Sequence, residues 1–157
     1  MLRTERLTLR PVTADDVDAL HSWQSLPEVC AYLPYAPRSR DEVAAKVGTY
    51  NGPHWLITLT DGTPIGELMV FRSGDDLDLG YVLHPSAWGS GYATEAARVA
   101  LESVWPAYAD QRLVAIIDPA NVGSRRVLER LGFAEVGRGG DDLGPFVRFE
   151  IGRPAER

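Results

Sequence analysis

The eight residues Trp88-Gly89-Ser90-Gly91-Tyr92-Ala93-Thr94-Glu95 follow an apolar, strand-like run and open an amphipathic, helix-like one. The first N–H groups of a helix have no internal partner and lie at the positive end of its dipole. Glycine lets a ligand approach that backbone closely. Residues of these types at this junction can cradle an anion, phosphate above all. Two phosphate loops are excluded by residue type. A Walker loop needs Gly-Lys followed by Ser or Thr, and the dinucleotide fingerprint needs glycine or alanine where Thr94 stands. Taken alone, the turn reads either as a phosphate cradle or as a tight turn without a ligand.

The other reactive side chains are scattered. His21, His54 and His84 lack metal-ligand spacing and read as surface or packing residues, so no metal is expected. Cys30 is the only cysteine, which excludes an internal disulfide and a four-cysteine zinc site and leaves a packing role. Asp141-Asp142, among glycines, reads as an exposed hairpin. Trp23, Tyr32, Tyr35 and Trp55 either wall a pocket or pack the core.

A chain of 157 residues, 45% hydrophobic and 24% charged, has the size and composition of one globular domain, 1–157. Sixteen Lys and Arg against 22 Asp and Glu give a formal charge of −6, which argues against a broad nucleic-acid surface. No run approaches the ~18 apolar residues of a membrane span. The charged opening Met1-Leu2-Arg3-Thr4-Glu5-Arg6 does not read as a secretory leader. A cytoplasmic protein without a membrane partner is expected.

The elements that must position the glycine turn follow from patterning. Leu7 to Val12 alternates like a half-buried strand. Thr13 with Asp16, and Ser39 with Glu42, are capping boxes. The first opens a helix with Val17, Leu20 and Trp23 on its apolar side; the second opens one with Val43, Val47 and Tyr50 on one face. Trp55 to Thr60 and Ile65 to Arg72 form a hairpin across Asp61-Gly62, and Leu77 to Leu83 continues the meander to Pro85. A helix over 92–105, a buried strand over 113–117, a helix over 121–131 stopped by Gly132 and a strand pair over 133–138 and 146–151 complete the chain. The order β-α-α-β-β-β-α-β-α-β-β predicts a mixed α/β sheet with helices on both faces.

Positions 88–93 resemble the pyrophosphate arm of the GNAT superfamily of N-acetyltransferases, Gln/Arg-x-x-Gly-x-Gly/Ala, with Gly91 and Ala93 matching and Trp88 in the Gln/Arg place. Trp88-Gly89-x-Gly91-Tyr92-Ala93-Thr94-Glu95-Ala96 resembles the branch that acetylates ribosomal-protein N-termini. The same branch is resembled by Thr4-Glu5-Arg6-Leu7-x-Leu9-Arg10-Pro11, by Pro64-Ile65-Gly66 and Gly80-Tyr81, and by Asn121-x-x-Ser124-x-x-Val127-Leu128-Glu129-Arg130-Leu131-Gly132-Phe133.

The resemblance implies a mostly antiparallel mixed sheet of about seven strands with four helices, whose central parallel strands splay around the pantetheine of acetyl-CoA. Backbone groups of Val82 and Leu83 would pair with the pantetheine, one of their N–H groups polarising the thioester. Those of Trp88, Gly89, Ser90, Gly91, Tyr92, Ala93 and Thr94 would hold the pyrophosphate. Asn121 is implied as a helix cap, a coenzyme contact or both. Leu128 stands where many relatives carry the tyrosine that protonates the departing thiolate. Ser124, on the inward face of its helix, is either that residue's substitute or a hydroxyl bonded to its own helix. The acceptor would be a small-molecule or peptide amine, and the protein would act alone or as a homodimer. An ammonium must lose a proton before it attacks, so a carboxylate base is expected. Asp78 is the first candidate, Glu67 the rival on the neighbouring strand and Glu150 a third; each is otherwise a polar residue on a strand face.

Overall fold

A computed structural model describes residues 1–108 and 110–152. Its strands are β1 (Leu2–Arg3), β2 (Leu7–Pro11), β3 (His54–Leu59), β4 (Pro64–Ser73), β5 (Asp76–Leu83), β6 (Arg112–Ile117), β7 (Ala134–Asp141) and β8 (Gly144–Ile151). Its α-helices are α1 (Val17–Gln24), α2 (Pro27–Cys30), α3 (Arg40–Lys46), α4 (Tyr92–Val104) and α5 (Val122–Leu131). The strands form one sheet in the order β1-β2-β3-β4-β5-β6-β8-β7. All pairs are antiparallel except β5–β6.

Among the described residues, eight strands and five α-helices stand against the roughly seven and four expected. The extra strand is Leu2–Arg3, too short to show a period. The extra helix is the single turn Pro27–Cys30, where proline occupies the first turn and needs no donor. Both capping boxes form as expected. However, α3 ends at Lys46, since Val47 turns out of helical conformation, so Tyr50 lies in the loop and packs on β4 instead.

Alternation along the strands divides the core. Trp55 and Ile57 of β3, Leu68 and Val70 of β4, and Leu77 and Leu79 of β5 face α4 and α5. There they meet Ala93, Ala96, Ala97, Ala100 and Leu101 of α4 and Leu128 and Leu131 of α5. The run of alanines lets α4 lie close to the sheet. Leu56 and Val82 face the other way, onto Val17, Leu20 and Trp23 of α1 and Val43 of α3. Arg10 grips the buried Asp16 with two bonds of 2.9 and 2.7 Å, fixing the start of α1 to β2. That grip holds the Asp16 carboxyl below its usual range.

The single parallel pair positions the site. β5 and β6 are in register only at Asp76↔Arg112, Leu77↔Leu113 and Asp78↔Val114. Beyond Asp78 the two strands diverge, while β5 stays paired to β4 as far as Leu83. The sheet is therefore split by a wedge-shaped gap whose apex is Asp78. Among the described residues no helix is long and apolar enough to cross a membrane.

Candidate active site

At the wide end of the gap, Gly89 and Gly91 adopt φ of 76° and 80°, the left-handed region that glycine enters without steric cost. Gly91 is the N-cap of α4, and no side chain caps that end. The first N–H groups of the helix are left for a ligand. Beside them the hydroxyl of Thr94 is buried without a partner. An uncapped, glycine-lined helix start with an orphaned hydroxyl fits a phosphate group.

Sequence reasoning missed how this loop is held. Arg6, just before β2, donates from Nη1 to the Ser90 carbonyl at 2.9 Å and from Nε to Glu95 at 2.8 Å, and its guanidinium lies 4.4 Å from the Tyr92 ring centre. Thr4 bonds the second oxygen of Glu95. Burial opposes ionisation of Glu95, but the Thr4 hydroxyl and Arg6 together hold its carboxyl below the usual range. Both the Thr4-Glu5-Arg6 opening and Thr94-Glu95 were visible as motifs; that the first braces the second was not. Arg6 brings to the loop the cation that Trp88 cannot supply.

Ladder geometry decides which backbone groups face the gap. His84 N–H bonds the Ile65 carbonyl at 2.8 Å, so in the antiparallel β4–β5 ladder the even-numbered residues of β5 bond β4. The N–H and C=O of Leu79, Tyr81 and Leu83 therefore turn toward the gap, and those of Val82 toward β4. Of the expected pair, Leu83 is directed to the gap and Val82 is not. The Leu83 carbonyl is already taken by the indole N–H of Trp88 at 3.0 Å, whose ring is 51% exposed at the mouth.

Across the gap, Asn121 caps α5, its Oδ1 accepting from Ser124 N–H at 3.1 Å while its Nδ2 donates to the Ser124 hydroxyl at 3.1 Å. That hydroxyl accepts the Asn121 bond and also interacts with the Tyr81 phenol. Leu128 is fully buried in the core. The other residue missed from sequence is Tyr81, whose phenol donates to the Ser124 carbonyl at 3.4 Å and bridges β5 to α5. Burial pushes its pKa up to about 12, so it stays a phenol.

The two carboxylate candidates face the same side of the sheet, the α1–α3 side, but are not neighbours. Glu67 pairs with Val82 and Asp78 with Phe71, four β5 residues apart, or roughly 13 Å along the strand. Glu67 is 1% exposed and accepts from Trp23 Nε1 at 2.5 Å and Gln24 Nε2 at 2.7 Å, with His54 Nε2 at 2.9 Å. Asp78 sits at the apex of the gap. Burial raises its carboxyl above the usual range; the Ser73 hydroxyl opposes this, Asp76 adds to it and Arg148 opposes it. Glu150 belongs to an ion network with Arg148 at 3.0 Å and Arg112 at 3.8 Å, both of which also hold Asp76.

The remaining candidates separate cleanly. Cys30 is buried, its thiol pushed up by burial and donating to the Gln24 carbonyl at 3.3 Å. His84 accepts from Ser86 N–H and caps a short turn. Trp23 and Trp55 are core, and Tyr32 is exposed. The residues at 141–142 close the β7–β8 hairpin. Among the described residues no group of three His, Cys, Asp or Glu is arranged to hold a metal.

The family model described as "Acetyltransferase (GNAT) domain" matches residues 6–134. The uncharacterized N-acetyltransferase p20 of Bacillus licheniformis is 30% identical over 149 residues, covering 87% of this chain and 83% of that protein. A GNAT-family acetyltransferase from Bacillus anthracis superposes with a TM-score of 0.85 at 24% identity, over 96% of each chain. Spermidine N-acetyltransferase from Vibrio cholerae, solved with CoA and spermine, superposes with a TM-score of 0.81 at 17% identity, over 94% of this chain and 96% of that one.

Proposed function

The chain belongs to the GNAT acetyltransferase family, and we propose that, as an N-acetyltransferase, it carries acetyl from acetyl-CoA to a primary amine by direct attack within a ternary complex. The observation that carries this reading is the β5–β6 gap opening beside an uncapped helix start. That the Vibrio cholerae relative was solved with CoA and a polyamine together supports a ternary complex. The likeness of the glycine arm to the ribosomal-protein branch favours a peptide or protein amine among the possible acceptors.

In this reading the N–H groups of Gly89 to Thr94 hold the pyrophosphate, steadied by Arg6 and Glu95. The gap-facing N–H groups of Tyr81 and Leu83 bind the pantetheine and polarise the thioester carbonyl, an oxyanion-hole role. Val82 contributes its side chain to the core and not its backbone to the ligand. Asp78, at the apex, takes the proton from the incoming ammonium, directly or through water; its raised pKa makes it a better base than an exposed aspartate. Amine nitrogen then attacks the carbonyl carbon, the C–S bond breaks and its electron pair leaves on sulfur. The nitrogen sheds its second proton as the amide forms, and a proton is delivered to the sulfur to give the thiol; the Ser124 hydroxyl, with Tyr81 beside it, hydrogen-bonds that sulfur and relays the proton without remaining ionised. Glu67, sealed beneath α1, fixes that helix and does not touch substrate.

Acetyl-CoA at ~100 times its dissociation constant should stabilise the protein by about 2.7 kcal/mol, read as a rise in melting temperature. Gly91→Val forces a β-branched residue onto a left-handed backbone and covers the free N–H groups, and should abolish that rise. A full shift in the variant moves the anion site elsewhere; no shift in the parent removes acetyl-CoA from the reading. Release of CoA with a panel of peptides, aminoglycosides and polyamines identifies the acceptor.

A further inference from the structure

We infer that the acceptor carries an anionic group, carboxylate or a similar oxyanion, beside its amine, and that Arg38 reads it. This rests on the transferase reading above and names the substrate class of that same site.

The chain of contacts that orients Arg38 begins at Glu67. Its Oε2 accepts from the Gln24 amide nitrogen, so the Gln24 amide can point only one way, with its oxygen outward. That oxygen accepts from Arg38 Nη1 at 2.9 Å. Arg38 backbone N–H bonds the Gln24 carbonyl at 3.0 Å, and its guanidinium stacks 3.5 Å from the Tyr35 ring centre. The buried carboxylate thus orients an amide, and the amide and a ring orient the arginine. Five N–H donors sit in a guanidinium; one is spent on Gln24 and another on the Tyr50 hydroxyl. Arg6, Arg10, Arg112 and Arg148 are all committed to carboxylates, whereas no ion pair among the described residues includes Arg38. A half-buried cation whose hydrogen bonds go to the neutral groups of Gln24 and Tyr50, with part of its fork still open, is built for a planar oxyanion that arrives from outside.

Arg38 also stands on the correct side of the sheet. Asp78 pairs with Phe71, and both side chains face α1–α3. The Tyr50 ring lies 5.8 Å from Phe71 and its hydroxyl is beside Arg38. One aromatic wall, Phe71 and Tyr50, therefore runs from the candidate base to the guanidinium. A zwitterionic acceptor lying along it would present its amine to Asp78 and its anion to Arg38. A polycation would meet Arg38 as a like charge.

The test uses matched acceptors: glycine, β-alanine, 4-aminobutyrate, 6-aminohexanoate and alanyl-phenylalanine, each against its own amide, with CoA release giving kcat/KM. The ratio of acid to amide within a pair cancels any loss of folded enzyme. The native protein should prefer the acid in at least one pair by about 10- to 100-fold, the discrimination a charge-assisted bond supplies. Arg38→Met should bring that ratio close to one. Arg38→Lys, which keeps the charge and loses the fork, should fall between. Native protein that takes the amides equally well or better overturns the inference and leaves the transferase reading standing. So does an acid preference that survives Arg38→Met. Turnover of no amine at all removes the transferase reading, and this inference with it.

Discussion

Asp78→Asn should lower the rate of acetyl transfer by about 10²–10⁴, the span of a general base, while acetyl-CoA affinity changes little. Asparagine keeps the shape at the apex of the gap and removes the basicity. The pH profile gives an independent sign. Burial holds the Asp78 carboxyl above its ordinary range, so its basic form grows in as pH rises through that raised value, and the rate should climb with it. The deficit of the variant should shrink at high pH, where free amine is abundant without help. A variant close to the parent in rate, with Glu67→Gln inactive but folded, would move the base to the neighbouring strand.

Glu67→Ala should instead act on stability. It strips the acceptor from Trp23, Gln24 and His54 at a point only 1% exposed. Leaving buried polar groups unpaired costs about 3–5 kcal/mol in such networks. At this chain length that is roughly 10 °C of melting temperature. An unchanged midpoint in calorimetry would mean that water enters and satisfies the three groups, and that the helix α1 is not anchored there.

What the sequence carried was local chemistry. Thr13 with Asp16, Ser39 with Glu42, Asp61-Gly62, and Gly132 after α5 each act within a few residues, and each stands where its residue types put it. The glycine arm was legible for the same reason. What escaped were contacts between distant segments. Arg6 and Glu95 belong to different motifs and meet only because β2 lies under the start of α4. His54 looked idle because its partner is on the next strand. Tyr81 read as one more residue of a strand, since its partner is a backbone carbonyl at 124, and backbone leaves no trace in residue types. The same limit applies to Val82 and Leu83: which one faces the gap depends on ladder phase, and a shift of one residue exchanges their roles.

Three rungs between β5 and β6 have a mechanical meaning as well. Strands β1 to β5 form one slab and β6 to β8 another, and along the seam they share the hydrogen bonds at 76–78 and 112–114, the ion pairs of Asp76 with Arg112 and Arg148, the Tyr81 bridge and the packing of α4 on α5. A pantetheine chain carries amides of its own, so when it enters the seam it would serve both slabs as a surrogate strand. Breathing about Asp78 would then be stiffest with coenzyme bound and loosest once it departs, which would couple the rigidity of the apex of the gap to occupancy of the seam.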